Sequence, residues 1–137
     1  GVQTCALPIF SAFRKSDEQI ISVVGCGGDR DRTKRPLMAA IACKYSDKVV
    51  LTSDNPRSED PKAILDEMKS GILTTDLKKV LIQSDRAEAI RTACMLAGDH
   101  DIVLVAGKGH EKYQEIAGIK YPFDDKLVLE QVMKSFA

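Results

Sequence analysis

What this sequence lacks narrows what it can be. Neither charge is in excess: Lys and Arg together number 20, as do Asp and Glu. No global field therefore draws in nucleic acid or anionic lipid, and neither partner is expected. No apolar run approaches the roughly 20 residues that cross a bilayer as a helix. The four cysteines, Cys5, Cys26, Cys43 and Cys94, form no CxxC pair and have no histidine at metal-ligand spacing. That leaves reduced thiols of a cytoplasmic protein and no expected metal site. No repeat of fixed period and no internal linker divides the chain. What is present is ordinary for a globular protein: 137 residues, 44% hydrophobic and 29% charged, enough for one domain with a real core.

The first residues stand apart. Residues 1–9, GVQTCALPI, are similar, codon for codon, to the translation of a common sequencing adapter. They lack the basic start and the length of a signal peptide. They are expected to be non-native, with native sequence from about Phe10 as part of a longer gene, and residues 10–137 to form one domain.

From Ile20 onward two periodicities alternate. Residues 20–24 are a short β-branched run that stops at Gly25, and residues 48–52, 79–82 and 101–106 read as three further strands. A helix with Pro36 in its first turn follows the first loop, with Leu37, Ala40, Ile41 and Tyr45 at helical spacing. Pro61 opens a second, with Ile64, Leu65 and Met68 on one face and Gly71 near its end. Ser84 is the expected cap of a third, with Ala89, Ile90, Ala93, Cys94 and Ala97 inward. Two short pieces around Gly118 predict a hairpin, and Leu129, Val132, Met133 and Phe136 mark one face of a last helix. Strand–helix units with near-continuous apolar strands predict an α/β fold: a Rossmann-like, mostly parallel sheet with helices on both faces and a C-terminal hairpin. Such sheets bind ligands at the carboxyl ends of their strands. The loops after Val24, Thr52, Ile82 and Ala106 are therefore where function is sought.

Three of those loops hold unusual residues. The first, GCGGDRDRTKRP over residues 25–36, sits where a dinucleotide loop would. Arg30 occupies the third glycine position of G-x-G-x-x-G, and Asp29 and Asp31 put negative charge where a pyrophosphate would lie. A loop dense in both signs suits a ligand or neighbouring domain carrying both signs, or a solvated surface. In the second loop, Pro56 fixes its own φ and holds Asn55 extended. Asp54 can accept from an ammonium, Asn55 can donate and accept, and Arg57 can grip a carboxylate in a two-bond fork. The set can receive a zwitterion; it can also be an ordinary Asx-Pro turn. In the third loop, glycines beside Lys108 let backbone approach a ligand, and Glu111 offers a carboxylate to an amine. It is not a phosphate loop, which would need glycine where Ile102 stands and Ser or Thr where Gly109 stands. His110 has no nucleophile beside it and reads as a hydrogen-bonding loop histidine, His100 as a surface residue.

Together these loops resemble the C-terminal domain of the Mur ligases, and within that family its diaminopimelate-adding branch. VGCGGDRDRTKRP is similar to the family's first loop, Asp54-Asn55-Pro56-Arg57 to its diaminopimelate motif, and VLVAGKGHE to its last active-site loop. The likeness runs in order from about Ile20 to the C-terminus. It implies an ATP- and Mg²⁺-dependent ligase of peptidoglycan biosynthesis. The D-glutamate carboxylate of UDP-N-acetylmuramoyl-L-alanyl-D-glutamate becomes an acyl phosphate, which the amine of meso-diaminopimelate attacks to give an amide and phosphate. It also implies that Arg30, Asp54, Asn55, Pro56, Arg57, Gly107 and Glu111 form the diaminopimelate site. Arg57 would take the distal carboxylate with Asn55 in support, Arg30 a second carboxylate, Asp54 and Glu111 the ammonium charge, and Gly107 backbone contacts. Asp31, Lys34 and Arg35 become candidates for ATP or a neighbouring domain. Lysine lacks the distal carboxylate, so admitting it would strand Arg57 at a cost of roughly 1–3 kcal/mol, and lysine-adding relatives depart from the arginine position. The family's UDP-binding and central ATPase domains have no counterpart in this sequence. ATP and Mg²⁺ are expected to be held mainly by the central domain, and the UDP-linked dipeptide by these two domains. No catalytic residue is expected here, and the fragment alone is expected to be inactive. Two other readings remain: a lysine- or glutamyl-adding ligase of the same superfamily, and a stand-alone Rossmann-like nucleotide-binding module.

Overall fold

Strand β1 (Ile20–Cys26) is buried along its whole length, which is why its sequence shows no polar alternation. It lies between β2 (Lys48–Ser53) and β4 (Ile102–Ala106), parallel to both, and β3 (Val80–Ile82) adds to the far side of β2. The order is β3-β2-β1-β4. The expected fold class is what the chain adopts, in a computed structural model that describes residues 17–108 and 110–136. The segment expected to be non-native, residues 1–9, lies outside the described residues.

The helices divide between the two faces. Helices α1 (Lys34–Tyr45) and α2 (Pro61–Lys69) cover one, where Val24, Val49 and Leu51 pack on Ala39, Ala42, Ile64 and Met68. Helices α3 (Arg86–Leu96) and α4 (Asp125–Ser135) cover the other, where Ile21, Val23 and Val50 meet Ala89, Ile90, Ala93 and Val132. Adjacent strand residues thus feed opposite cores, as the pleat requires. Proline and cap chemistry start the helices. Asp60 accepts from the Lys62 N–H ahead of Pro61, satisfying one of the helix's orphan donors.

Several local expectations need correction. Asp85, not Ser84, caps α3, because its carboxylate reaches the Glu88 N–H. In α1 the small residues Ala39, Ala42 and Cys43 face inward and Leu37 is exposed, since the helix sits close against the sheet. On α4 only Val132 is buried, while Met133 and Phe136 are exposed; the helix lies beside α3 and reaches the core along one narrow line. Residues Thr74–Lys79 form a 3₁₀ helix with no buried residue. Lys79, read as the start of β3, belongs to it, and its Nζ donates to the Cys43 carbonyl near the end of α1.

Strands β5 (Tyr113–Ile116) and β6 (Ile119–Pro122) form a separate antiparallel hairpin. Its turn residues, Ala117 and Gly118, both have positive φ, the geometry of a tight hairpin turn. The hairpin does not extend the main sheet. It reaches across to the second loop through an isolated parallel bridge between Arg57 and Ile116.

Candidate functional site

The parallel register places Cys26 beside Ser53 and Val24 beside Ala106, so three strands release their loops together. A cleft of about 490 Å³ opens there. Arg30 lines it from the first loop, Asp54 and Arg57 from the second, Gly107 and Glu111 from the third. These five expected residues share one cleft. Asn55 and Pro56 lie behind its wall, both buried. The first two loops interlock through glycine: the Gly28 N–H donates to the Asn55 carbonyl at 2.7 Å, and a Cβ on Gly28 would stand 1.9 Å from the Pro56 carbonyl oxygen. At Gly27 an added Cβ would stand 2.8 Å from Arg57 Nη1, so that glycine makes room for the guanidinium.

Arg57 has a φ of 51°, a left-handed backbone that side-chain-bearing residues rarely adopt. The hairpin holds it there. Its N–H donates to Glu115 O at 3.0 Å, and its carbonyl accepts from the Ala117 N–H at 2.8 Å. Nη1 donates to Gly28 O at 2.9 Å. One corner of the guanidinium is thereby fixed while the side chain lines the cleft.

Behind Arg57 lies a buried polar knot. Asn55 is 1% exposed. Its Oδ1 accepts from Lys108 Nζ at 2.9 Å and from the Glu115 N–H at 2.9 Å, and its Nδ2 donates to Glu111 Oε2 at 3.1 Å. Asn55 therefore aims Glu111. The hydrogen bond to Glu111 also pushes the Tyr113 phenol above its usual range, so the carboxylate has a second neighbour. Asp54 Oδ1 stands 2.9 Å from Lys108 Nζ in an ion pair not aligned as a hydrogen bond. Gln114 Nε2 holds the Asp54 carbonyl at 2.7 Å. Lys108 escaped the sequence reading because a lysine between two glycines has no periodicity, and its partner Asn55 is 53 residues away.

Of the three candidates for ATP or a neighbouring domain, Asp31 and Lys34 are exposed at the cleft rim. Arg35 also lines the cleft, but its guanidinium is already engaged. It is 1% exposed, donating to Glu59, Glu67 and the Gly27 carbonyl at 2.6–3.0 Å. Hydrogen bonding to Arg35 brings the Glu59 carboxyl down to about 2. Arg35 is a strut for the first loop. Arg86 is a second strut that the sequence did not reveal. Its Nε and Nη2 grip Asp125 at 2.8 Å each, and it donates to the last carbonyls of β2 and β4, Ser53 and Ala106. Arg86 supports the floor of the cleft.

The display is thus two guanidiniums, an aimed carboxylate and close backbone, which suits an amino acid with two acid groups. Cys26 also lines the cleft, but burial pushes its thiol up to about 11, so it is not a ready nucleophile. Among the described residues, no group of three or more His, Cys, Asp or Glu side chains could hold a metal, and no helix is long and apolar enough to cross a membrane.

The chain is similar to known proteins of one family. Residues 6–109 match the family described as "Mur ligase, glutamate ligase domain". A UDP-N-acetylmuramoyl-L-alanyl-D-glutamate–2,6-diaminopimelate ligase of Cytophaga hutchinsonii is 62% identical over 119 residues, 87% of this chain and 24% of that protein. Its namesake from Aquifex aeolicus is 50% identical over 123 residues, 90% of this chain and 25% of that protein. A solved structure of a ligase of the same name superposes with a TM-score of 0.88 at 42% identity, covering 98% of this chain and 27% of that one. The chain spans about a quarter of the length of the curated relatives it matches.

Proposed function

The chain belongs to the Mur ligase family through its glutamate ligase domain, and on that premise we propose that it is the part of a peptidoglycan-precursor ligase that selects meso-diaminopimelate. The observation that carries the reading is the convergence of Arg30, Arg57 and Glu111 on one cleft. Arg57 takes the distal carboxylate with the free side of its guanidinium, and Arg30 takes the other carboxylate. Glu111, aimed by Asn55, receives an ammonium, and Gly107 offers backbone. Asp54 contributes the oxygen that Lys108 does not hold. Pro56 and Asn55 stiffen the turn from behind.

The site's own residues bind and orient; none is placed to form or break a bond. In the proposed ligase, ATP and Mg²⁺ supply the acyl phosphate on the UDP-linked dipeptide. Among the described residues no metal cluster gathers, and Arg35 of the first loop is already engaged by carboxylates, which leaves Asp31 and Lys34 at the rim as the candidates to meet ATP or a neighbouring domain. The reading assigns ATP, Mg²⁺ and the dipeptide to the portion of the relatives that this chain does not match, and places the enzyme in the cytoplasm. Without that portion the chain is expected to be inactive. A lysine-adding relative is disfavoured because a guanidinium held at the cleft wall, with no carboxylate to meet, would be desolvated for nothing.

A chimaera tests this. The chain replaces the matching quarter of the Cytophaga hutchinsonii ligase, and amide formation is followed with meso-diaminopimelate and with L-lysine. The expected result is an active chimaera that prefers diaminopimelate, and an Arg57→Ala version whose preference falls at least tenfold, the factor for roughly 1.4 kcal/mol of lost discrimination. A folded chimaera indifferent to the two amino acids, or one whose preference survives Arg57→Ala, would sink the assignment.

A further inference from the structure

We infer that Lys108, which shows no surface to the cleft, is a specificity-determining positioning residue: its buried charge cancels that of Asp54 and so tunes the site toward an amino acid with two acid groups. The inference rests on the diaminopimelate reading above and names a residue that reading does not use.

The lysine side chain is 0% exposed and that of Asp54 10%. Three oxygens surround Nζ: Asp54 Oδ1 at 2.9 Å, Asn55 Oδ1 at 2.9 Å and the Tyr113 carbonyl at 2.7 Å. Nζ donates to the last two, while Asp54 Oδ1 pairs with it by charge without hydrogen-bond alignment. The Phe123 ring centroid lies 5.9 Å from Nζ. A charge so enclosed is little screened by water or salt. Asp54, by contrast, lines the cleft; its Oδ2 is 3.8 Å from where a Cβ on Gly107 would sit. With Lys108 in place the pair presents no net charge to a ligand. Without it, the cleft wall gains one unit of negative charge beside the residues that receive the amino acid.

That difference separates the two competing substrates. Diaminopimelate carries two carboxylates and two ammoniums and is neutral overall, whereas lysine carries one carboxylate and two ammoniums and is a cation. A more negative wall favours lysine, and a more positive one disfavours it. This effect acts through space and is separate from the direct grip of Arg57 on the distal carboxylate. Lys108 also holds Asn55, which aims Glu111. A loss of that aim alone would weaken both amino acids, since both bring an amine.

The test compares the affinities of the chain for meso-diaminopimelate and L-lysine by titration calorimetry, in the unsubstituted chain and in three variants. Lys108→Met is expected to lower the diaminopimelate-to-lysine affinity ratio about tenfold, the scale of one unit charge several ångströms away at an interior dielectric of about 20 to 40. Asp54→Asn leaves the ammonium unbalanced and is expected to raise the ratio. The double variant removes both charges and is expected to restore the ratio to near its starting value, whatever the absolute affinities. If Lys108→Met does not fold, the double variant is compared with Asp54→Asn alone, where loss of the ammonium must again lower the ratio about tenfold. Single variants that shift the ratio in the same direction, or leave it unmoved while the unsubstituted chain prefers diaminopimelate, overturn this inference alone. No preference in the unsubstituted chain overturns the reading of the site and the inference with it.

Discussion

In the proposed site Arg57 combines two demands that pull against each other: a side chain long enough to reach a carboxylate, and a backbone φ of 51° that suits glycine. The conflict makes a separable prediction. Arg57→Ala and Arg57→Gly remove the same guanidinium and the same bond to Gly28, so both are expected to lose diaminopimelate affinity equally. They differ in backbone strain, and Arg57→Gly is expected to be the more stable by about 1 kcal/mol. Denaturant unfolding measures the second effect and calorimetry the first; a glycine variant no more stable than the alanine one would mean that the turn is not strained. At this scale the sequence was legible where chemistry is local. The Asp-Asn-Pro-Arg run carries its stiffness and its charges in four consecutive residues. Asn55 was read as a support for Arg57, and the structure shows what it supports: the aim of Glu111. Lys108, Arg35 and Arg86 could not be read, because what makes each of them matter is a partner far along the chain. A lone buried cation looks like any surface lysine or arginine until its carboxylates are found.

At the scale of elements, glycine decides how closely the loops and helices approach. A methyl group on Gly28 would meet the Pro56 carbonyl at 1.9 Å, and one on Gly71 the Pro36 carbonyl at 2.1 Å. Each alanine substitution forces backbone apart and is expected to cost about 1–3 kcal/mol. Gly28→Ala separates the two loops of the cleft, so its folded fraction is expected to lose diaminopimelate affinity. Gly71→Ala wedges the end of α2 from the start of α1, away from the cleft's ligand-facing side chains, and is expected to bind normally once folded. Unfolding curves paired with titrations distinguish the two; equal losses of affinity would refute the distinction. The strands and the helix starts were visible in the sequence because β-branched runs and proline punctuate them. The inward faces of α1 and α4 were not. Leu37 and Met133 fit an apolar stripe by spacing, but the choice between wall and solvent depends on how each helix leans on its neighbours.

For the molecule as a whole, the first loop and the start of α1 are tied to the second loop and α2 by carboxylates whose affinity for protons is depressed. Hydrogen bonding to Arg35 lowers Glu59 from an ordinary 4.5 to about 2, and bonds to Arg32 and Arg35 lower Glu67 as well. A carboxyl that is more acidic in the folded state stabilises it fully above its unfolded value, and that contribution fades as the pH falls from about 4.5 toward 2. Stability measured by denaturant midpoint is expected to decline over that window. Glu59→Gln is expected to be less stable near neutrality and to decline less steeply in acid. A glutamine variant with an unchanged acid slope would show that the Arg35 strut does not govern it. The overall architecture was the most legible level of all, because alternating strands and helices admit few topologies. The joining of the hairpin to the second loop was invisible, since a main-chain bridge leaves no mark on side-chain pattern.

That bridge has a consequence for anyone re-engineering substrate choice. The left-handed residue to which we assign the distal carboxylate is splinted by Glu115 and Ala117, so on that assignment the transplantable unit is not the tetrapeptide. It is two stretches of chain, far apart in order, that must travel together. A swap of Asp54-Asn55-Pro56-Arg57 into a lysine-type scaffold without its matching ribbon would carry the letters of the code and leave behind the frame that holds them in place.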